Sequence, residues 1–164
     1  MVKHYDSVFT SKQNEEIHKL LQRPQWSFAG GGSIEDGFTS FFWHLDGLEK
    51  DVYFLHLFKE IQERFLQGKD TELVRCYANG QTAGQSGVPH TDDGDITILY
   101  FPNNWKGYWG GHLNFSDGKD ITKVIEYKQN RLVKFDANIL HYASAPVMTF
   151  FGLRMSLAFK IKVK

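Results

Sequence analysis

From residue 71 to the end, the sequence is built from short runs in which alternate residues are apolar, separated by turn-forming residues at intervals of roughly ten. The runs are "TELVRCYANG", "DITILYFPN", "GGHLNFS", "KVIEY", "RLVKF" and "RMSLAFKIKV". A period of two sends successive side chains to opposite faces, so each run can bury one face in a sheet and cannot form one stripe on a helix. The 14 Phe, 7 Tyr and 4 Trp favour strands, and the 15 Gly supply tight turns between them. Two earlier segments have helical spacing instead. "SKQNEEIHKLLQ" places Ile17, Leu20 and Leu21 on one side, with Ser11 as its expected N-cap. "LEKDVYFLHLFKEIQERFLQG" predicts a longer helix with a stripe of Val52, Leu55, Phe58, Ile61 and Phe65 and a C-terminal cap at Gly68. Between them, "PQWSFAGGGSIEDGFTSFFWHLDGL" reads as strand, glycine-rich turn and strand. The expected fold is mainly β with buttressing α-helices, most naturally a jelly roll. It forms a single domain over 1–164, with its β core at about 71–164 and helical support at about 1–70.

Nineteen Lys and Arg balance 19 Asp and Glu. Zero net charge offers no long-range attraction for nucleic acid or anionic lipid, so neither is an expected partner. Cys76 is the only cysteine and cannot form an internal disulfide, which fits a reducing compartment. No apolar run of about 18 residues exists to span a bilayer, and "MVKHYDSVFTSK" lacks the apolar stretch of a secretory signal. A soluble cytoplasmic protein is expected.

The chemistry concentrates in "GVPHTDDGD". His90 and Asp92 are two positions apart, so on an extended backbone an imidazole nitrogen and a carboxylate oxygen point the same way. Alone, this pair also fits a surface loop with a local hydrogen bond. "DANILHYASAPV" adds His141, which a jelly roll can bring across to the same pocket. Two histidines and one carboxylate on one side of a metal leave its other positions open, the arrangement of non-haem Fe(II) oxygenases. Such an oxygenase takes electrons from a 2-oxoacid whose distal carboxylate needs a fixed cation. Arg154 in "FFGLRMSLAFKI" supplies a planar fork of donors, and Ser156 on the same face adds a hydroxyl.

The succession "YANGQ", "HTD", "ILYFPNNW", "GGHLNF", "RLVKFDANILHYASAPV" and "FGLRMS" resembles the 2-oxoglutarate- and Fe(II)-dependent dioxygenases, particularly their small prolyl-4-hydroxylase-like branch in bacteria and phages. The resemblance spans roughly residues 71 to 160. It implies a double-stranded β-helix, with iron on His90, Asp92 and His141 and the 2-oxoglutarate C5 carboxylate on Arg154. It further implies Tyr77 beside the co-substrate, O2 as oxidant and ascorbate as an auxiliary reductant. In relatives with a "YYLN"-like strand the second aromatic hydroxyl binds the C5 carboxylate. Here Phe101 stands there, and Tyr100 is one place earlier on the opposite face. Ser156 can take over that donor role, and Tyr100 is retained as a further candidate.

The implied reaction is hydroxylation of an unactivated C–H bond, with a prolyl residue in a peptide or protein as the favoured substrate. Trp105, Tyr108 and Trp109 could grip such a chain or simply seal the barrel end, and His112 is a candidate substrate contact. The remaining histidines His4, His18, His44 and His56 read as surface or structural. The stretch 29–40 reads either as a lid or as a hairpin turn. Two alternatives stand beside this reading: the same chemistry on a free amino acid or small metabolite, and a non-redox metal- or sugar-binding jelly roll. A zinc site prefers a closed shell of four ligands, and no fourth Cys or His is evident.

Overall fold

The computed structural model describes residues 1–31 and 40–164. Its strands are β1 (Val2–Tyr5), β2 (Ser27–Gly31), β3 (Ser40–Leu45), β4 (Thr71–Gln81), β5 (Ile96–Phe101), β6 (Leu113–Ser116), β7 (Ile121–Ile125), β8 (Arg131–Asp136), β9 (His141–Ala143) and β10 (Arg154–Val163). Two α-helices, α1 (Ser11–Leu21) and α2 (Val52–Phe65), precede β4.

The strands form two antiparallel sheets. The larger has seven strands in the order β1-β8-β5-β10-β4-β3-β2, and the smaller has three in the order β7-β6-β9. Neighbours that are distant in sequence, such as β10 between β5 and β4, mark the jelly-roll connectivity that the strand pattern predicted. Residues 1–70 are not only helical support: they also contribute β1, β2 and β3 to the larger sheet.

Strand alternation divides the interior in two. On β10, Met155, Leu157, Phe159 and Ile161 join Ile17, Leu21, Phe54, Phe58 and Ile61 of the helices in one core. Ala158 of the same strand instead joins Tyr77, Leu99, Leu113, Phe115 and Val133 in a second core, between the sheets. Residues 154, 156, 158 and 160 therefore share the face that looks into the barrel.

Both helices differ in detail from the sequence expectation. The N-cap of α1 is Thr10, whose hydroxyl accepts from the Gln13 amide at 3.2 Å while the Gln13 side chain accepts from the Thr10 amide at 3.1 Å. This capping box is reciprocal, so it prevails over a cap at Ser11. Helix α2 is capped by Asp51, and Leu48–Lys50 form a separate 3-10 turn before it. Its buried face is Phe54, Leu57, Phe58 and Ile61, whereas Val52 is 66% exposed and Leu55 38% exposed. Gly68 adopts a positive φ of 76° beyond the helix, which ends at Phe65 with Leu66 as its C-cap.

Candidate active site

His90 lies in the loop between β4 and β5, and His141 opens β9. The two are joined as an antiparallel backbone bridge, the His90 amide donating to the His141 carbonyl at 3.0 Å and the reverse at 2.9 Å. The Asp92 amide is tied to the Ala137 carbonyl at 2.8 Å, which anchors the same loop to the segment leading into β9. The imidazole centroids consequently lie 4.5 Å apart.

Each histidine Nδ1 lies 2.8 Å from a backbone carbonyl, Val88 for His90 and Ile139 for His141. A carbonyl only accepts, so Nδ1 carries the hydrogen and the Nε2 lone pair is free to face the cavity. His141 Nε2 is 3.3 Å from Asp92 Oδ2, and His90 Nε2 is 3.6 Å from Asp92 Oδ1. The three donor atoms all lie within 4.8 Å of one another. Ligands at about 2.1 Å on perpendicular axes sit about 3 Å apart, so small side-chain adjustments bring this set onto one ion. The donor set, two neutral imidazoles and one carboxylate, suits a divalent first-row metal with open positions. Burial and the neighbouring His141 lower the pKa of His90, favouring its neutral form. Burial alone would raise the Asp92 carboxyl, but its neighbours His141 and Lys160 outweigh it and hold the carboxyl well below its usual range.

These residues line a cavity of about 430 Å³ between the sheets. Arg154 is 1% exposed on another wall of that cavity. Its Nε donates to the Gly111 carbonyl at 2.7 Å and its Nη1 to Gln81 Oε1 at 2.9 Å, with its guanidinium 4.8 Å from the Tyr127 ring centroid. Among the described residues no carboxylate pairs with it. Burial pulls its pKa down to about 10, the signature of a desolvated cation lacking a counter-charge. A buried cation held by neutral acceptors is suited to an incoming carboxylate. Ser156 and Tyr77 line the same cavity.

Gly111 makes the placement of Arg154 possible. Its φ is +70°, and a Cβ there would stand 2.9 Å from Arg154 Cδ and 3.0 Å from Nε. Gly111→Ala is expected to displace the guanidinium and cut co-substrate affinity at least about tenfold while sparing metal affinity, as read by separate titrations.

The structure separates other candidates from the cavity. The Tyr100 hydroxyl faces the helices, bonding to Asn14 and, at 3.1 Å, to Asn130, because strand alternation turns it away from the barrel interior. Trp105 packs at a tilt against Tyr127 and Phe150, with ring centroids 4.4 and 4.7 Å away, and its Nε1 donates to the Gly110 carbonyl at 3.0 Å. Trp109 packs on Trp105 and Phe150 and borders a different depression, with Leu21 and Trp26. The two tryptophans thus pack with Tyr127 and Phe150 and do not line the cavity that holds the His90, Asp92 and His141 cluster. His112 Nδ1 accepts from the Tyr127 amide at 3.3 Å and does not line the cavity. Of the stretch 29–40, Ala29 and Gly30 border the cavity; residues 32–39 lie outside the described ones.

Five residues that the sequence reading did not place in the site line the cavity: Gln81, which accepts from Arg154, and Arg75, His44, Asn79 and Lys160. His44 and Asn79 are cross-strand partners on β3 and β4. His44 Nε2 and Asn79 Oδ1 are both buried without a hydrogen-bond partner among the described residues. Counting in twos from Arg154 would have placed Lys160 inside, and from Tyr77 would have placed Arg75, Asn79 and Gln81. Nothing comparable marks His44.

No protein-family model matches the sequence, and no curated protein matches it significantly. Solved structures do match in fold. An oxidoreductase of the 2OG-Fe(II) oxygenase family from Burkholderia pseudomallei superposes with a TM-score of 0.76 at 13% identity, covering 98% of this chain and 84% of that one. A prolyl hydroxylase from Trichoplax adhaerens, in complex with a hypoxia-inducible-factor degradation-domain peptide, gives 0.70 at 14% identity over 99% and 82% of the two chains. HygX from Streptomyces hygroscopicus, with nickel, 2-oxoglutarate and hygromycin B bound, gives 0.69 at 10% identity over 98% and 82%. The chain has the jelly-roll fold of these oxygenases.

Proposed function

We propose that this chain is an Fe(II)- and 2-oxoglutarate-dependent dioxygenase that hydroxylates an unactivated C–H bond, with a prolyl residue in a peptide or protein as its substrate. The observation that carries the reading is a His90, Asp92 and His141 cluster sharing one cavity with a buried arginine that has no acidic partner. The fold shared with 2-oxoglutarate oxygenases, including a peptide-bound prolyl hydroxylase, supports it.

In this reading His90 and His141 offer Nε2 and Asp92 one carboxylate oxygen to iron. Arg154, steadied by Gln81 and the Gly111 carbonyl, receives the distal carboxylate of 2-oxoglutarate, with Ser156 and Tyr77 beside it. Iron and 2-oxoglutarate held by these residues would supply the O2 activation that oxygenation of a C–H bond requires, with succinate and CO2 as co-products. Leu99 and Leu113 supply apolar wall, which limits water around the reacting groups. The free thiol of Cys76 and the absence, among the described residues, of any helix long and apolar enough to cross a membrane support a cytoplasmic assignment.

A second reading, hydroxylation of a free amino acid or small metabolite, is favoured by the cavity lining. Arg75 lies 4.4 Å over the Tyr77 ring, and Asp46 and Asp93 face the same space, so both charge signs are available to a small zwitterion. Trp105 and Trp109, meanwhile, are absent from the cavity. Anaerobic titration with Fe(II) and 2-oxoglutarate tests the shared chemistry. Aerobic reaction with a short proline-containing peptide or with free L-proline, ascorbate included, then separates the substrates by succinate yield and a mass gain of about 16 Da, one oxygen atom. Turnover of the peptide alone is expected; equal or faster turnover of free proline overturns the peptidyl assignment.

A further inference from the structure

Lys160 is the one lysine among the residues lining the cavity, and its side chain is only 3% exposed. It lies on β10 opposite Thr97 of β5 and Arg75 of β4. Its ammonium contacts Asp92 Oδ2 directly and lies 3.5 Å from Thr97 Oγ1. The Thr97 hydroxyl donates to the same Asp92 oxygen at 2.7 Å. The ammonium also lies over the Tyr77 ring, 5.6 Å from its centroid. One oxygen of the carboxylate is therefore held twice, once by a neutral hydroxyl and once by a full positive charge.

Long cationic side chains seldom end inside a protein without a specific partner, and here the partner is also a candidate metal ligand. We infer that Lys160 is an electrostatic positioning residue: by neutralising Asp92 it weakens the site's hold on a metal cation and strengthens its hold on the dianionic co-substrate. The inference rests on the reading of the site as an Fe(II) and 2-oxoglutarate centre. The sign follows from charge. An ammonium beside Asp92 repels a divalent cation arriving at the same carboxylate and attracts the two carboxylates of 2-oxoglutarate. Thr97 still holds Asp92 Oδ2 when Lys160 is removed, so the carboxylate keeps its orientation and loses chiefly its neutralising charge. In a desolvated site that charge outweighs the net worth of one hydrogen bond. The two donors thus divide the work, Thr97 setting direction and Lys160 setting charge balance.

The test uses the full chain with Mn(II) as a redox-silent probe, read by the loss of the free-ion electron paramagnetic resonance signal. 2-Oxoglutarate is then titrated calorimetrically into the Mn(II)-saturated protein. Lys160→Met removes the charge at nearly constant length, and Lys160→Gln removes it while keeping an N–H donor. Both are expected to bind Mn(II) about tenfold more tightly and 2-oxoglutarate about tenfold more weakly than the unaltered protein. A residue that merely fills or orders the core would shift neither affinity or weaken both, and either result in whichever variant folds overturns the inference. If the unaltered protein binds no Mn(II), the metal-centre reading falls and the role of Lys160 falls with it. If the unaltered protein binds both ligands and the variants match it, only the role of Lys160 is lost.

Discussion

Arg154→Ala is expected to weaken 2-oxoglutarate binding by about 2–5 kcal/mol, roughly 30- to 5,000-fold, while leaving metal affinity nearly unchanged. The size follows from burial. The guanidinium is 1% exposed and no acid pairs with it among the described residues, so an incoming carboxylate meets a cation with little competing water or counter-charge. Truncation also leaves the Gly111 carbonyl and Gln81 Oε1 without the donors that now reach them at 2.7 and 2.9 Å. The measurement is a pair of titrations, Mn(II) first and 2-oxoglutarate second. Unchanged co-substrate affinity would move the binding site away from Arg154.

Asp92→Asn is expected to remove tight metal binding and to destabilise the fold by about 3–5 kcal/mol, because the Lys160 ammonium then remains buried without its counter-charge. Urea unfolding of the metal-free protein at neutral pH reads the stability loss, and Mn(II) titration reads the loss of the site. The pH dependence has a definite sign. The Asp92 carboxyl is held below its unfolded value, so its contribution to stability is present above that value, near 3.9, and fades as pH falls through the folded value. Wild-type stability should therefore drop in acid by more than that of Asp92→Asn, which lacks the group. Parallel acid curves would show that Asp92 carries no stabilising charge interaction in the folded protein.

Much of the architecture was legible from periodicity. The runs from "TELVRCYANG" to "RMSLAFKIKV" became sheet strands because a two-residue repeat leaves an apolar face that only another layer can cover. The helix details were less legible. The stripe through Val52 and Leu55 and the one through Phe54 and Leu57 both satisfy helical spacing, and the contact with the larger sheet selected the second. Strand β1 is a short edge strand whose pairing with β8 depends on a partner more than a hundred residues away, and nothing local announces it.

By itself, the sequence determined which side chains share a face: His90 with Asp92, and Arg154 with Ser156 and Lys160, because the alternation of an extended chain is a local property. It also carried the order of residue types on which the resemblance to 2-oxoglutarate dioxygenases rests. Only the tertiary structure decided what those faces meet. The pairing of His90 with His141, the seat of Arg154 against Gly111 and Gln81, and the contact of Lys160 with Asp92 all join residues far apart in the chain. Tertiary packing likewise set Trp105 and Trp109 against each other outside the cavity and brought His44 to it. The physical reason is that alternation sets the direction of a side chain, whereas its neighbours and its desolvation follow from strand order and register, which are fixed by burying both faces of the larger sheet at once.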